Sequence, residues 1–334
     1  MTLLSVRGLH VRYTIASRLK AAVAGLTNRH VDAVVDVSFD VAHGNTLAIV
    51  GESGSGKSTL ARAIVGLTPF AAGSIVFDGE NPFAAGGRPE RAYHRHVAMM
   101  FQDPVSSLSP RRTVQSLITE PFSVHGLGSR DHSAEARRLL ALVGLPADFA
   151  TRYPHQLSGG QARRVGVARA IALDPKLIIA DEPTAGLDVS VQGDILNLLS
   201  RLQAQLGLTY VIISHNLAVV RHVSDRTAIM YMGRLVEVGP TQQIFACAGH
   251  PYAAALIASQ PNPDPAHRRN GAVLTGEVTS LLDRPRGCEF HPRCTKATEI
   301  CRATRPAVRD LGSDHTVMCH HPNEVLPVAA GRRE

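Results

Sequence analysis

The stretch Leu47-Ala48-Ile49-Val50-Gly51-Glu52-Ser53-Gly54-Ser55-Gly56-Lys57-Ser58-Thr59 decides the fold. Leu47 to Val50 is a short, continuous apolar run, as expected of a strand buried on both faces of a mostly parallel sheet. Gly51 to Ser58 matches G-x-x-x-x-G-K-[ST] at every fixed position, and Thr59-Leu60-Ala61-Arg62-Ala63-Ile64 continues as a helix. Strand, glycine-rich turn and helix in that order form a phosphate-binding loop. The glycines let backbone N–H groups turn inward around an anion, and the helix N-terminus adds positive potential. In such a loop Lys57 reaches the outer phosphates and Ser58 a magnesium ion.

Two further apolar runs, Leu177-Ile178-Ile179-Ala180 and Tyr210-Val211-Ile212-Ile213, read as strands of the same sheet. Asp181 and Glu182 end the first of these, so both carboxylates project from the carboxyl edge of the sheet, where ligand sites of α/β proteins lie. Beside a phosphate loop, Asp181 fits the magnesium-organising acid and Glu182 a base that polarises an attacking water. Ile195, Leu199, Leu202 and Leu206 recur at helical spacing and give one apolar face. Ala228 to Val238, with Gly233 at its middle, reads as a hairpin. Asp103 to Pro154 is helix-rich and interrupted by Gly126, Gly128, Gly144 and Pro146, as for a subdomain inserted into the sheet framework.

The chain has 334 residues, 44% hydrophobic and 19% charged, which is globular composition and enough for about two domains. No run of about 18 apolar residues is present to span a membrane, and the first residues lack the pattern of a secretory leader; both favour a cytoplasmic protein. The net charge of +7 is not organised into a long basic run with interleaved aromatics, so nucleic-acid binding is not expected. Four of the five cysteines (Cys288, Cys294, Cys301, Cys319) fall in the last fifth of the chain, with Cys247 apart. They follow the linker signal Pro261-Asn262-Pro263-Asp264-Pro265 and sit in a segment of little apolar periodicity, which ordinarily needs a staple. Their spacing, C-x5-C-x6-C-x17-C, lacks the close pairs of common zinc sites, and disulfides are not expected in a cytoplasmic protein. Four thiolates suit zinc or an iron–sulfur cluster, and spacing alone does not choose between them. The neighbouring His291, His315, His320 and His321 read as solvated loop residues.

Leu157-Ser158-Gly159-Gly160-Gln161 introduces a helix bearing Val165, Ala168, Ile171 and Ala172 on one face, and Ser158 with Gln161 has the spacing of a capping box. With this element added, residues 3 to 255 resemble the ATP-binding-cassette ATPases. The resemblance implies ATP and Mg2+ as ligands. Gly51, Glu52, Ser53, Gly54, Ser55, Gly56, Lys57, Ser58 and Thr59 match the phosphate loop. Gln102, in Met100-Phe101-Gln102-Asp103-Pro104, matches the glutamine that senses magnesium and attacking water. Asp181 matches the magnesium acid, Glu182 the catalytic carboxylate and His215 the switch histidine. Ser158, Gly159, Gly160 and Gln161 match the signature that closes on ATP held by an opposite subunit. Ala185-Gly186-Leu187-Asp188 matches the dimer-contact loop, although Ser-Ala-Leu-Asp is more usual there, and Gly186 is expected to loosen the turn. Tyr13 is the candidate for the aromatic that stacks on adenine, ahead of an insertion from Thr14 to His30.

The resemblance also implies the architecture. It is an α/β phosphate-loop ATPase cassette over 1–260, with a mostly parallel sheet core, an antiparallel β subdomain and an inserted helical subdomain at about 103–160. A small irregular C-terminal extension stapled by metal occupies 261–334. About a hundred residues, with no heptad array, separate phosphate loop and signature, which argues against chromosome-maintenance cassettes. The GESGSG loop, Asp188-Val189-Ser190-Val191-Gln192 and the segment opened by His250-Pro251-Tyr252 resemble the oligopeptide/dipeptide importer branch. In some of its members the cysteine-bearing extension implies a [4Fe–4S] cluster, here on Cys288, Cys294, Cys301 and Cys319. Implied partners are a second ATPase subunit, in a hetero- or homodimer, two membrane permeases and an extracytoplasmic peptide-binding protein, with the chain peripheral on the cytoplasmic face of the inner membrane. ATPases of nickel or glutathione importers, or a soluble assembly ATPase, are the alternatives.

Overall fold

In a computed structural model the described residues are 1–15, 29–83, 88–103, 107–128, 131–260 and 280–325. Most of the Thr14–His30 insertion, the Pro261–Pro265 linker and Pro104 lie outside them. The strands are β1 (Thr2–Thr14), β2 (His30–Ala42), β3 (Thr46–Val50), β4 (Ala72–Phe77), β5 (Val97–Met100), β6 (Leu177–Asp181), β7 (Thr209–Ser214), β8 (Arg226–Tyr231), β9 (Arg234–Pro240), β10 (Val308–Asp310) and β11 (Thr316–Met318). They form a three-stranded sheet ordered β2-β1-β4 and an eight-stranded sheet ordered β10-β11-β9-β8-β3-β7-β6-β5. From β5 to β8 the large sheet pairs in parallel; β9, β11 and β10 then continue it antiparallel. The small sheet is antiparallel throughout. The three apolar runs of the sequence are therefore β3, β6 and β7, adjacent in space, and the hairpin read at Ala228–Val238 is β8–β9.

The period of two along each strand sorts the core into two layers. On one face, Leu177, Ile179, Val211 and Ile213 pack with Leu47 and Ile49 of β3, with Leu60 and Ile64 of α1 (Lys57–Val65), and with the small sheet through Leu4, Val6 and Phe39. On the other, Ile178, Ala180, Tyr210 and Ile212 meet a helical layer. It contains α2 (Val114–Val124), α3 (His132–Leu142), α4 (Gly159–Ile171) and α5 (Val189–Leu206). Each fully buried aliphatic side chain of this kind contributes about 1.5–3 kcal/mol. Val165, Ala168, Ile171 and Ala172 are all buried, as are Ile195, Leu199 and Leu202. Ser158 caps α4: its hydroxyl accepts from the Gln161 N–H at 3.3 Å while Gln161 Oε1 accepts from the Ser158 N–H at 2.9 Å. Thr113, Asp131 and Asp188 cap α2, α3 and α5 through side-chain oxygens. Each cap of this type contributes about 1 kcal/mol.

The C-terminal segment departs from the expected irregular appendix. β11 pairs with β9 through Thr316 opposite Val238 and Val317 opposite Glu237, so the extension widens the central sheet. Phe290 packs edge-on against Tyr231 at 5.4 Å between ring centroids, and tilted against Tyr252 at 5.4 Å. Tyr252 lies on α7 (Pro251–Ala258), downstream of α6 (Leu217–Val223). His315, read from sequence as a solvated loop residue, is fully buried. Its Nε2 lies 2.7 Å from Glu237 Oε1, which also accepts the Gly249 N–H at 2.7 Å; Glu237 Oε2 accepts the His250 N–H at 2.8 Å. Weak apolar periodicity misread this segment because its strands are three residues long and its anchors are polar. Removing Glu237 would orphan three buried donors at once. Glu237→Ala is expected to lower stability by about 3 kcal/mol in urea unfolding, well beyond the effect of Asp40→Ala at the exposed Arg7 pair.

Candidate functional site

The phosphate loop is seated by missing side chains. A Cβ on Gly51 would stand 2.1 Å from the Met230 carbonyl oxygen, and one on Gly56 would stand 2.3 Å from that of Ala33. Gly56 also has φ +103°, in the region open to glycine. The loop thus lies against the backbones of β8 and β2, and Ser55 C=O accepts the Gly233 N–H at 2.8 Å. Lys57 Nζ donates to the carbonyls of Gly51 and Glu52, both at 2.8 Å, curling over the loop at the head of α1. Burial pushes the Lys57 ammonium down, against the pull of Glu182, Asp181 and Glu52.

Ser58 Oγ donates to Asp181 Oδ1 at 3.1 Å, which joins the loop to the end of β6. Burial raises the Asp181 carboxyl above its ordinary value, while the Ser58 hydrogen bond works against it. Two oxygen groups in contact, one of them anionic, are the hard donors that suit Mg2+. Glu182 leaves β6 through a left-handed residue, φ +49°, with its N–H held by the Ile213 carbonyl at 2.9 Å. This conformation costs on the order of 1 kcal/mol for a residue with a side chain. It brings the carboxylate between two partners: Gln102 Nε2 donates to Oε2 at 3.2 Å, and His215 Nδ1 lies 2.8 Å from Oε1. Ser53, Gly54, Gly56 to Thr59, Gln102, Glu182 and His215 line one open cleft of about 540 Å³, together with Ala33 and Leu281.

The remaining expected residues lie elsewhere. Tyr13 sits near the end of β1 opposite Val31, partly exposed, and is outside the described lining of the cleft. Ser158 to Gln161 form the exposed start of α4, and Gly160 packs against α5, where a Cβ would meet Val191 at 2.9 Å. Asp188 caps α5, accepting from the Val191 N–H at 2.9 Å and the Ser190 hydroxyl at 2.7 Å. Gly186, at φ +73°, occupies a left-handed position that an alanine would strain. Cys288, Cys294, Cys301 and Cys319 all fall in the extension, and burial raises the Cys288 thiol to about 11. Among the described residues no group of three His, Cys, Asp or Glu side chains could hold one metal ion.

Sequence reasoning missed Arg163. This buried arginine of α4 donates to the Gln102 carbonyl at 2.9 Å and to the Ala185 carbonyl at 2.8 Å, tying two site loops to the helix that starts at Ser158. A charged residue next to the apolar Ala162 on an otherwise amphipathic helix was the available signal.

A parallel sheet with this loop, paired acids, glutamine and histidine defines a nucleotide-hydrolysing cassette. Residues 34–185 match the ABC transporter family model, and residues 236–301 match the oligopeptide/dipeptide transporter C-terminal region. A probable peptide ABC transporter ATP-binding protein, y4tS of Sinorhizobium fredii, is 48% identical over 87% of this chain and 82% of its own length. A putative peptide import ATP-binding protein of Brucella ovis is 41% identical over 96% of this chain and 98% of its own. Among solved structures, the ATP-binding cassette MJ0796, a dimer in a post-hydrolysis state bound to ADP and Pi, superposes with a TM-score of 0.61 at 26% identity, covering 72% of this chain and 99% of its own. The chain belongs to the ATP-binding subunits of ABC transporters and is an ATP hydrolase. No helix among the described residues is long and apolar enough to cross a membrane.

Gly51→Ala, which drives a Cβ into the Met230 carbonyl, is expected to weaken ATP binding by about tenfold or more. Gly193→Ala on α5, where an added Cβ meets nothing within 4 Å, should bind ATP as the unsubstituted chain does in the same titration.

Proposed function

We propose that this chain powers import of di- or oligopeptides through a membrane ABC importer. The observation that carries the substrate class is the match of residues 236–301 to the oligopeptide/dipeptide transporter C-terminal region, joined to a phosphate-loop cleft shared by Lys57, Ser58, Gln102, Glu182 and His215. Relatives named as peptide transporters over nearly the whole chain support it. The partners in this reading are a second ATPase subunit, two permeases and an extracytoplasmic peptide-binding protein, with the chain on the cytoplasmic face of the inner membrane.

The chain's own residues supply the hydrolytic steps. Backbone N–H groups of Gly54 to Lys57 and the start of α1 receive the phosphates, and Lys57 exchanges its two loop carbonyls for phosphate oxygens. Ser58 and Asp181 would hold Mg2+, which would neutralise charge on the phosphates. Glu182 orients a water and draws its proton, and Gln102 and His215 fix the carboxylate from either side. Ser158 to Gln161 would complete the partner subunit's site, because an exposed, capped helix start offers free N–H groups to an anion. Asp188 shapes the loop beside that contact. Tyr13 is proposed to stack on adenine from the rim; its partial exposure leaves the ring face accessible.

The extension is proposed to carry a [4Fe–4S] cluster in a structural role. Burial first, and then neighbouring cysteines, raise the Cys288, Cys294 and Cys319 thiols, yet no three of these side chains are placed to hold a single ion. Such a cluster would cross-link the segment when bound. Iron and acid-labile sulfide are expected near four of each per chain after anaerobic purification, and zinc without either would refute the cluster.

Glu182→Gln is expected to abolish turnover while leaving ATP bound, trapping a closed dimer visible by size-exclusion chromatography; hydrolysis at the unsubstituted rate would remove Glu182 from the mechanism. The substrate reading is tested by purifying the tagged chain in detergent. Co-purifying permeases that transport labelled peptides in vesicles, dependent on ATP, are the expected result, and a soluble scaffold as the sole partner would contradict it.

A further inference from the structure

We infer that Arg293, in the C-terminal extension, is a positioning residue for the phosphate loop, acting through the carboxylate of Glu52. The two residues are 241 positions apart, yet Arg293 Nη1 and Nη2 donate to Glu52 Oε2 and Oε1 at 2.7 and 2.9 Å. This is the bidentate fork that guanidinium and carboxylate planes form, with direction as well as charge. The arginine side chain is 4% exposed and Glu52 21%, so solvent screens the pair only in part.

Glu52 is the second residue of the loop, and every polar group it has is committed. Its N–H donates to the Tyr252 hydroxyl at 3.0 Å, and its carbonyl accepts Lys57 Nζ at 2.8 Å and the Ser55 N–H at 3.2 Å. Its carboxylate belongs to Arg293. The loop's shape is thus fixed at Glu52 from α7 and from the extension, on the side away from the cleft.

The extension also braces the walls against which the loop rests. Arg284 donates to the Met232 carbonyl at 2.6 Å and to the Asp32 carbonyl at 2.9 Å, next to the Ala33 carbonyl that faces Gly56. Glu289 holds Arg284 at 3.3 Å and the buried Arg234 at 2.9 Å. Leu281 closes the chain of contacts at the cleft itself. The extension therefore reaches the nucleotide site directly: weakening its hold on Glu52 loosens the loop that must present its N–H groups in one conformation. The inference rests on the phosphate-loop site and not on the transported substrate.

The test is a double-mutant cycle on the full chain with Mg-ATP. Arg293→Ala and Glu52→Gln are each expected to weaken ATP binding about fivefold, and the double variant about as much as either alone. Arg293→Lys, which keeps the charge and loses the fork, should fall between. In turnover, KM for ATP should rise with kcat within about twofold, because the carboxylate pair touches no reacting atom. The unfolding midpoint without nucleotide serves as the control for stability. Should Arg293→Ala fail to fold, Arg293→Lys and Glu52→Gln carry the same cycle. Losses that add in the double variant, or an ATP affinity within twofold of the unsubstituted chain, overturn the inference. Lack of peptide transport by the unsubstituted chain would instead count against the substrate reading, and leaves this measurement intact.

Discussion

Everything at this site depends on a backbone held where a side chain cannot go. Gly51 and Gly56 bring the phosphate loop to within contact of the carbonyls of Met230 and Ala33, so the loop is fixed by β8 on one side and β2 on the other. An anion-binding loop works through N–H groups of fixed direction, and direction is lost if the chain can relax. The rest of the molecule supplies that restraint. The parallel strands β3, β6 and β7 align their carboxyl ends, and the central sheet is clad on both faces by continuous apolar layers. Loop, Glu182 and His215 consequently meet in one cleft although Lys57 and His215 are 158 positions apart in the chain.

The acids are handled differently although adjacent. Asp181 ends its strand buried and bonded to Ser58, where burial raises its carboxyl unless a cation is near. Glu182 turns out through a left-handed residue and is caught between Gln102 and His215. One peptide unit therefore separates a carboxyl held against Ser58 from one held between Gln102 and His215. Arg163 then couples this arrangement to the helix beginning at Ser158, since its guanidinium spans the carbonyls of Gln102 and Ala185. A shift of that helix would be felt at Gln102 and at Ala185, each through one hydrogen bond.

The extension is the part of the molecule whose role the tertiary structure changed most. Composition presents it as a cysteine-bearing appendix; packing makes it two more strands of the central sheet and a set of buried ionic anchors. Glu237 and Glu52 receive donors from the extension, and Glu289 of the extension accepts from Arg234 of β9, so its attachment is directional and specific where a purely apolar contact would permit slippage. Buried ionic anchors add little net stability, because desolvation offsets most of the attraction, but they penalise every other register.

The sequence by itself determined the nucleotide chemistry. The loop Gly51–Ser58, the acids after Leu177–Ala180 and the capped helix after Leu157 are local patterns, and a local pattern survives translation into structure because its geometry is set within one strand, turn or helix. It also marked Tyr13 and the cysteines as candidates without saying where they sit, because stacking and ligation are relations between distant segments. Only the tertiary structure decided that His315 is buried, that Arg163 bridges two loops and that Arg293 grips Glu52. Those are long-range hydrogen bonds of polar side chains, and no spacing in the chain encodes which carboxylate or carbonyl such a side chain will find once the sheet has closed.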